Sequence, residues 1–376
     1  MACDGCDRSK AMGYKFCIKC GQSFAEEAPV PTYTVEKKGI LDESVLSRFV
    51  IPSIALIIVS CIVSVALIAV DFGEGWDYIT DKGISPWIYL GSIIKIAHLE
   101  GTAAGLFWLF LAIVAVISVA LFIWQSKECF RFGEGYVERV KDTPLFWMGL
   151  LFGSVMVTEV LMNLVFTAFG MGVETPGWIK DMTLGDALVS FTNAAVWEEI
   201  MFRVMFLGLP VAIVALASRE KGAWRYLLGG FGSSKLAVVF LIFSTLLFAF
   251  AHVDSWGVMK IFTVSLGGFM LGYMYMRFGL HVAIVCHLIN DFSIVWSMGV
   301  DGTFAGLLLL AILGFGLVNL PLVCKKTVKG IRKVKTLPMT GFDPVATDVP
   351  DTPDVEVSEA GSPDEDDQNN SDSKTD

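Results

Sequence analysis

Charged residues are scarce in this sequence, and they are unevenly placed. Asp, Glu, Lys and Arg make up 18% of the 376 residues, against about 25% in an average soluble domain. Residues 341–376 contain twelve acidic residues and one lysine, a net charge of −11, while the whole chain carries −10. The acidic balance therefore describes the tail and says little about the rest of the chain.

Two further features are missing. No apolar run lies near the N-terminus, since the first begins near Phe49 after a hydrophilic segment, and we therefore expect no secretory signal. A disulfide framework is also missing, because four of the eight cysteines are scattered along the chain: Cys61, Cys129, Cys286 and Cys324. Scattered cysteines in or near apolar segments are usually small buried hydrophobic residues.

Apolar runs, by contrast, are numerous. Eight of them are long enough, or nearly so, for a helix to cross a membrane, which takes about 20 apolar residues. They cover roughly residues 48–70, 102–124, 145–169, 187–217, 236–252, 257–277, 280–299 and 303–324. We predict an all-α polytopic membrane protein with about eight transmembrane helices. A shorter apolar stretch around Trp87 to Ile96 is expected to be interfacial or re-entrant.

The charged residues of the loops predict an orientation. Lys37, Lys38 and Arg48 precede the first span, and Lys325–Lys335 adds six basic residues after the last one. With eight spans, the basic loops all fall on one side, which the positive-inside rule assigns to the cytoplasm. Both termini are therefore expected to be cytoplasmic in a multi-pass protein of the cell membrane. The last basic segment is expected to lie against anionic headgroups.

Four cysteines near the N-terminus form two C-x2-C pairs: Cys3 with Cys6, and Cys17 with Cys20. Four thiolates at this spacing suit tetrahedral Zn²⁺ with no open position, so the zinc is expected to be structural. Two disulfides are the alternative, which a cytoplasmic location disfavours. The module resembles small zinc ribbons of other membrane proteins. Protein docking is an open role, and no nucleic-acid partner is expected, because the module has few basic residues.

Acidic, basic and histidine side chains lie within the apolar runs, where ionisable groups are costly and usually functional. Glu198, Glu199 and Arg203 occupy the middle of the fourth run. Glu199 and Arg203 are four residues apart on one helix face, so they are expected to pair. Glu198 lies about 100° round the helix and is left without a cation of its own.

Two histidines on later runs complete a candidate reactive set. His252 ends the fifth run, four residues after Phe248, and His287 shares a helix face with Asp291 in the seventh. A carboxylate in an apolar helix suits a general base that acts on water, and a nearby histidine can share that water. A second histidine beside a carboxylate can donate to a developing oxyanion. Glu198 with these residues is therefore a candidate site for hydrolysis.

The motifs EE-x3-R, F-x3-H and H-x3-D follow one another on these runs, over about residues 145–300. This arrangement resembles the CPBP family, which comprises type II CAAX prenyl endopeptidases with Abi and lysostaphin-resistance-like proteins. The resemblance implies an intramembrane endopeptidase that acts on a membrane-anchored substrate, either a CAAX-like prenylated protein or a bacteriocin-like peptide. By resemblance, Glu198 and His252 would activate water, while His287 and Asp291 would stabilise the oxyanion.

The same resemblance assigns a supporting role in holding the helix to Glu199 and Arg203. Position 291 is Asn as often as Asp in the family, and an Asp donates a hydrogen bond only when protonated. The family has been described both as metallopeptidases and as metal-free, glutamate-dependent enzymes. Two histidines and a carboxylate can bind a divalent metal, whereas the sequence has no H-E-x-x-H helix. The sequence does not decide whether the enzyme uses a catalytic metal ion.

A different function class also fits buried ionisable residues. A non-enzymatic transporter or scaffold would use the carboxylates and histidines to bind protons or a cation. Transporters often contain internal repeats, and none is convincing in this sequence.

The peptidase hypothesis has one geometric difficulty. The predicted topology places His252 near the non-cytoplasmic end of its run and His287 in the cytoplasmic half of its own, so the two meet only if the fifth helix is short or displaced.

The predicted organisation has seven parts. In chain order they are a zinc ribbon at 1–24, a linker at 25–46, the first two transmembrane helices with their loops at 47–143, the CPBP-like catalytic helices at 144–300, the last transmembrane helix at 301–324, a basic juxtamembrane segment at 325–336 and a disordered acidic tail at 337–376. The tail has too few bulky apolar residues to offset its chain entropy by burial.

Overall fold

The computed structural model describes residues 3–12, 17, 19–21, 43–173, 175–220 and 222–339. These residues belong to two compact units, and the boundary between the units lies between Asp42 and Glu43. The predicted linker up to residue 42 and the acidic tail from residue 340 onward lie outside the described residues. In the first unit, one short helix, α1 (Cys6–Ala11), follows Gly5.

The second unit is built almost wholly of helices. Its first elements are α2 (Glu43–Val70), α3 (Phe72–Lys82), strands β1 (Trp87–Tyr89) and β2 (Ile93–Lys95), α4 (Gly101–Gln125), a 3₁₀ turn (Lys127–Phe130), α5 (Tyr136–Val140), α6 (Pro144–Ala168) and α7 (Gly177–Lys180). The later elements are α8 (Leu184–Asn193), two π-helical segments (Ala194–Glu198 and Ile200–Gly208), α9 (Leu209–Ala217), a 3₁₀ helix (Ala223–Leu228), α10 (Lys235–Ala251), α11 (Val253–Trp256), α12 (Lys260–Phe278), α13 (Leu280–Gly299) and α14 (Gly302–Val334).

A helix coincides with each of the eight predicted apolar runs. Within the described residues, six helices are long and apolar enough to cross a membrane. They are Ser47–Val70, Gly101–Gln125, Pro144–Ala168, Leu184–Ala217, Leu280–Gly299 and Gly302–Val334. The fifth run forms α10, which has only 17 residues, and the sixth forms α12. The predicted all-α integral membrane fold is confirmed, and its number of spans is approximate.

The short apolar stretch after the first span forms a β-hairpin rather than a helix. β1 pairs antiparallel with β2 in the register Trp87 to Lys95. Ile93 and Ile94 of this hairpin are more than 40% exposed. Its predicted interfacial or re-entrant position remains a prediction, and exposed isoleucines are compatible with contact with lipid.

Helix α13 lies at the centre of the membrane unit, because it packs against α2, α4, α8, α12 and α14. Its indole Trp296 is buried and donates a hydrogen bond from Nε1 to Ser64 Oγ of α2 at 3.1 Å. A helix surrounded in this way presents its polar side chains to protein rather than to lipid. His287 and Asp291 therefore face the interior of the bundle.

The fourth span is one continuous helical segment of 34 residues, Leu184–Ala217. Its middle is π-helical, with wider turns that often occur at functional sites. Pro210, in the turn after the π-helical part, has no N–H to donate and its ring clashes with the carbonyl four residues earlier. We attribute the widened turns in part to this proline.

Helices α10 and α12 approach closely because α12 carries glycine where they meet. A Cβ atom placed on Gly268 would lie 2.9 Å from Cδ1 of Phe248, which is too short for an ordinary contact. Small residues let helix backbones approach one another in membranes. Phe248 also packs against Phe202 of the fourth span, which carries Glu198 and Glu199, with 5.1 Å between the ring centroids.

Candidate active site

Three helical segments bring Glu198 and two histidines together. Glu198 Oε2 lies 4.0 Å from His252 Nε2 and 3.9 Å from His287 Nε2. Glu198 belongs to the π-helical part of the fourth span, His252 follows α10, and His287 lies in α13. The three side chains are mostly buried, so the chain forms a polar cluster inside an apolar bundle.

His252 reaches this cluster because its ring folds back along α10. The ring nitrogen Nδ1 lies 2.8 Å from the carbonyl oxygen of Phe248. A carbonyl only accepts, so Nδ1 carries the proton, and in the neutral ring Nε2 presents its lone pair toward Glu198. Side chains tilt toward the N-terminus of their helix, which moves the imidazole back by about one turn.

The difficulty over the depth of the two histidines is resolved by this geometry. α10 is short, and His252 is the residue that caps its C-terminal end. The rings of His252 and His287 both lie near Phe248, at 4.7 Å and 5.9 Å between ring centroids. Phe248 therefore contributes to the site in two ways, through its carbonyl and through its ring.

His287 contacts carboxylates from both of its ring nitrogens. Nδ1 donates to Glu199 Oε1 at 2.8 Å. Nε2 faces Asp291 Oδ2 at 3.4 Å as well as Glu198. A hydrogen bond to one nitrogen fixes the orientation of the ring and directs the other nitrogen. Glu199 thus aims His287 Nε2 toward Glu198.

Glu199 and Arg203 are buried charges that lie side by side. Arg203 Nε is 3.1 Å from Glu199 Oε2, and neither side chain is exposed. The contact is an ion pair rather than an aligned hydrogen bond, since neither atom has a hydrogen-bond partner among the described residues. Arg203 also donates from Nη2 to the carbonyl of Gly268 at 3.3 Å, and its Cζ lies 4.4 Å from the ring centroid of Phe248.

Two neighbours of Asp291 are absent from the motifs that predicted the site, one in hydrogen-bond contact and one that acts through its charge. Asn290 Nδ2 donates to Asp291 Oδ1 at 3.1 Å. Lys260, at the beginning of α12, interacts electrostatically with Asp291 and with Glu159 of α6. The available signal in the sequence was a lysine inside the sixth apolar run, but nothing in its spacing indicated which carboxylates it faces.

The four N-terminal cysteines form a separate, compact cluster. Their Sγ atoms all lie within 4.8 Å of one another. Among these pairs, the Sγ atoms of Cys3 and Cys6 are 3.5 Å apart, those of Cys3 and Cys17 are 3.5 Å apart, and those of Cys6 and Cys20 are 3.6 Å apart. Four sulfurs bound to one Zn²⁺ at about 2.3 Å are roughly 3.8 Å apart, so this cluster fits a single metal ion.

The protonation of these cysteines also fits ligand chemistry. Burial and the neighbouring thiols raise the pKa of Cys6 to about 12. Burial acts in the same direction on Cys17, but hydrogen bonds from the backbone of Cys20 and Lys19 bring its pKa down to about 6. The lowered pKa of Cys17 favours the thiolate form that binds a metal, and the other thiols lose their protons when a cation binds.

The membrane site falls within a segment that resembles a known family. Residues 180–293 match the family model described as type II CAAX prenyl endopeptidase, Rce1-like. This segment is Rce1-like. The resemblance predicted from the motifs is thereby confirmed, and at the family level it supports a CAAX-type intramembrane protease. No curated protein and no solved structure gave a significant match to the chain.

The Rce1-like segment contains all six predicted site residues of the membrane unit: Glu198, Glu199, Arg203, His252, His287 and Asp291. It includes α8 to α12 and most of α13. The helices outside it, among them α2, α4, α6 and α14, pack around α13. The Rce1-like segment thus contains the polar cluster, and the flanking helices surround it.

Proposed function

We propose that this protein is an intramembrane endopeptidase that hydrolyses a peptide bond in a membrane-anchored substrate with a CAAX-like, prenylated C-terminus. The observation that carries this proposal is the approach of Glu198 Oε2 to both histidines, at 4.0 Å and 3.9 Å, within the Rce1-like segment. A carboxylate with two histidines in a mostly buried site is a suitable arrangement for activating water.

In this proposal Glu198 is the general base. Its distances to the two histidines are too long for direct hydrogen bonds, and they suit a water molecule between the groups. A water with two hydrogen bonds of about 2.8 Å at a right angle has partners about 4 Å apart. Glu198 removes a proton from the water, while the lone pair of His252 Nε2 accepts the other hydrogen bond and orients the oxygen toward the scissile carbonyl. When the C–N bond breaks, Glu198 returns the proton to the leaving amine nitrogen.

His287 is proposed to stabilise the oxyanion that forms on that carbonyl. As an imidazolium it donates from both nitrogens, with Nδ1–H directed to Glu199 and Nε2–H available to the substrate oxygen. Asp291 contributes negative charge beside the ring and does not itself need to donate. The hydrogen-bond donor to the oxyanion is therefore His287 and not residue 291.

Glu198→Gln tests the proposal because glutamine keeps the size of the side chain and cannot act as a base. We expect kcat on a prenylated CAAX peptide in reconstituted vesicles to fall by about 10²–10⁴-fold, the usual contribution of a general base. The matched control is Glu159→Gln, which removes a half-buried carboxylate of α6 outside the proposed set. Wild-type activity in Glu198→Gln, with normal folding, would falsify the assignment.

We further propose that Cys3, Cys6, Cys17 and Cys20 hold one structural zinc ion. Replacement of Cys17 by serine is expected to abolish zinc binding, because a structural site needs all four thiolates. Metal content of the purified protein is the measurement, and Cys324→Ser is the control, since Cys324 is an exposed cysteine outside the cluster. Retention of full zinc by Cys17→Ser would contradict this site.

The same measurement examines the membrane site. Suppose that a second equivalent of metal is found, one that is kept in Cys17→Ser but lost when His252 and His287 are both replaced by alanine. That result would contradict the metal-free mechanism proposed above and would favour a metallopeptidase. Without such an equivalent, the zinc belongs to the cysteines alone. The two metal questions are therefore separated by one pair of variants.

A further inference from the structure

The hairpin of β1 and β2 packs beside the helix that carries Glu198. Trp197, the residue before Glu198, donates from Nε1 to the carbonyl oxygen of Trp87 in β1 at 2.8 Å. The ring of Tyr89, also in β1, lies 5.8 Å from the ring of Phe202 between centroids. Phe202 stands about one turn after Glu198 in the fourth span. Strand β1 therefore lies beside the proposed active site, at the level of Glu198.

The register of the hairpin decides which backbone groups point outward. Ile96 N–H donates to the carbonyl oxygen of Pro86 at 2.9 Å. Facing residues of an antiparallel pair alternate between hydrogen-bonded and non-bonded pairs, so in the observed register the N–H and C=O groups of Lys95 and Ile93 point away from β1. The carbonyl of Trp87, opposite Lys95, points outward in the same way on the other edge, where the indole of the fourth span donates to it.

The outer edge of β2 is unpaired. Ile93 and Lys95 are exposed, and their outward N–H and C=O groups have no hydrogen-bond partner among the described residues. The hairpin also lies within the length of the second span, because Trp197 contacts Phe107 of α4 at 5.7 Å between ring centroids, about 9 Å along the helix from its beginning. Lipid tails cannot pair with backbone groups at such a position, whereas a free strand edge is a template for another strand.

We propose that the outer edge of β2 binds the substrate in an extended conformation, as an added strand. This inference rests on the proposed peptidase function and assigns the paired segment to the residues that precede the CAAX segment. Pairing of this kind takes its affinity from main-chain hydrogen bonds. An added strand lies about 10 Å from β1, since neighbouring strands are about 4.8 Å apart. The four residues of a CAAX segment reach about 13 Å when extended, enough to cross to Glu198.

Backbone methylation of the substrate tests this proposal. Labelled, prenylated CAAX peptides with an N-terminal extension each carry one N-methyl group, and their Kd for the Glu198→Gln protein in micelles is measured by fluorescence anisotropy. Only alternate N–H groups of an added strand face β2. We expect Kd to rise about fivefold at alternate positions, the contribution of one hydrogen bond, and to stay unchanged at the positions between. An equal effect at every position, or none at any, would overturn strand addition.

Ile93→Pro tests the same pairing from the side of the protein. Proline removes the outward N–H, which takes no part in the hairpin, and edge strands tolerate it. The matched control is Ile93→Ala, which removes the same side chain and keeps the N–H. We expect Kd to rise about fivefold in the proline variant alone. If thermal unfolding shows that Ile93→Pro does not fold, Lys95→Pro with Lys95→Ala replaces the pair. Equal Kd values in a folded proline variant and its alanine control would contradict the site.

Binding and cleavage are scored separately, so the two proposals fail separately. Undiminished cleavage by Glu198→Gln would contradict the proposed base and leave the alternation of Kd as the measure of strand addition. Loss of cleavage in Glu198→Gln without any alternation of Kd would keep the peptidase and remove strand addition.

Discussion

At the scale of single residues, Glu199 contacts both Arg203, its buried counter-ion, and His287, a residue of the proposed active site. One carboxylate oxygen lies 3.1 Å from Arg203 Nε, and the other accepts from His287 Nδ1 at 2.8 Å. A buried ion pair by itself adds little stability, because desolvation of both charges offsets their attraction. The contact with His287 gives a reason for a buried pair at this position, since it orients a residue of the proposed active site.

Glu199→Gln is therefore expected to affect both stability and activity. It leaves Arg203 as an uncompensated buried cation, which costs about 3–5 kcal/mol of unfolding free energy. It also gives the Nδ1–H of His287 a neutral amide oxygen in place of a carboxylate as acceptor, which weakens that hydrogen bond, and a weakened orienting partner of a histidine typically lowers activity by about 10–100-fold. Thermal unfolding and kcat on the prenylated peptide measure the two effects.

The double variant Glu199→Gln/Arg203→Met separates them. Removal of both charges from a buried pair restores much of the stability, whereas the Nδ1–H of His287 is left with a neutral amide oxygen in place of a carboxylate. We expect the unfolding temperature to recover and kcat to stay low. Recovery of both quantities would mean that Glu199 serves only to neutralise Arg203.

The sequence predicted part of this arrangement. Positions four apart on a helix are neighbours, so the contact between Glu199 and Arg203 follows from spacing alone. The contact of Glu199 with His287 joins residues that are 88 positions apart in the chain, and it depends on how α13 packs against the fourth span. Spacing within one helix carries no information about that packing.

At the scale of helices, apolar runs predicted where the long helices lie but not their internal hydrogen-bond register, and they did not predict the short helices such as α3 and α5. Length and hydropathy decide whether a segment crosses the membrane, and both are visible in the sequence. The π-helical turns around Glu198 depend on local strain and tertiary contacts, which the apolar pattern does not contain. The hairpin of β1 and β2 was missed for a similar reason, since its alternation is only three residues long in each strand.

The contact between α10 and α12 gives a prediction at this scale. Gly268→Ala places a methyl group 2.9 Å from Cδ1 of Phe248, so Phe248 must move, and its carbonyl holds His252. Overpacking of this kind costs about 1–3 kcal/mol. We expect a lower unfolding temperature together with a lower kcat, measured on the same reconstituted protein.

Gly306→Ala is the matched control. A Cβ on Gly306 of α14 meets no atom within 4 Å, and alanine within a helix is favoured over glycine by about 0.5–1 kcal/mol. Stability is thus expected to stay equal or to rise, with kcat unchanged. If Gly268→Ala behaved in the same way, the close contact would not position His252.

At the scale of the whole molecule, the site assembles from segments that are far apart in the sequence around the central helix α13. The order of the motifs identified the segments, because their polar residues stand out in apolar runs. The depth at which they meet was not predictable, since it depends on the short α10 and on the backward tilt of the His252 ring. The orientation of the bundle in the membrane is a separate property, which the loop charges alone predict.

That orientation leads to the last prediction, that both termini lie in the cytoplasm. The basic end of α14, from Lys325 to Lys335, and Lys95 in the β-hairpin should then lie on opposite sides of the membrane. Trypsin added to inside-out vesicles is expected to cut between Lys325 and Lys335 and to spare Lys95, and right-side-out vesicles should give the reverse, with peptides identified by mass spectrometry. Lys95 is exposed and serves as the internal control for access.

Cleavage of both regions from one side would mean that the number of crossings between them is even, so that the eight-span topology is wrong. The expected pattern would also place the four cysteines of the first unit in a reducing compartment, where free thiolates persist to bind zinc.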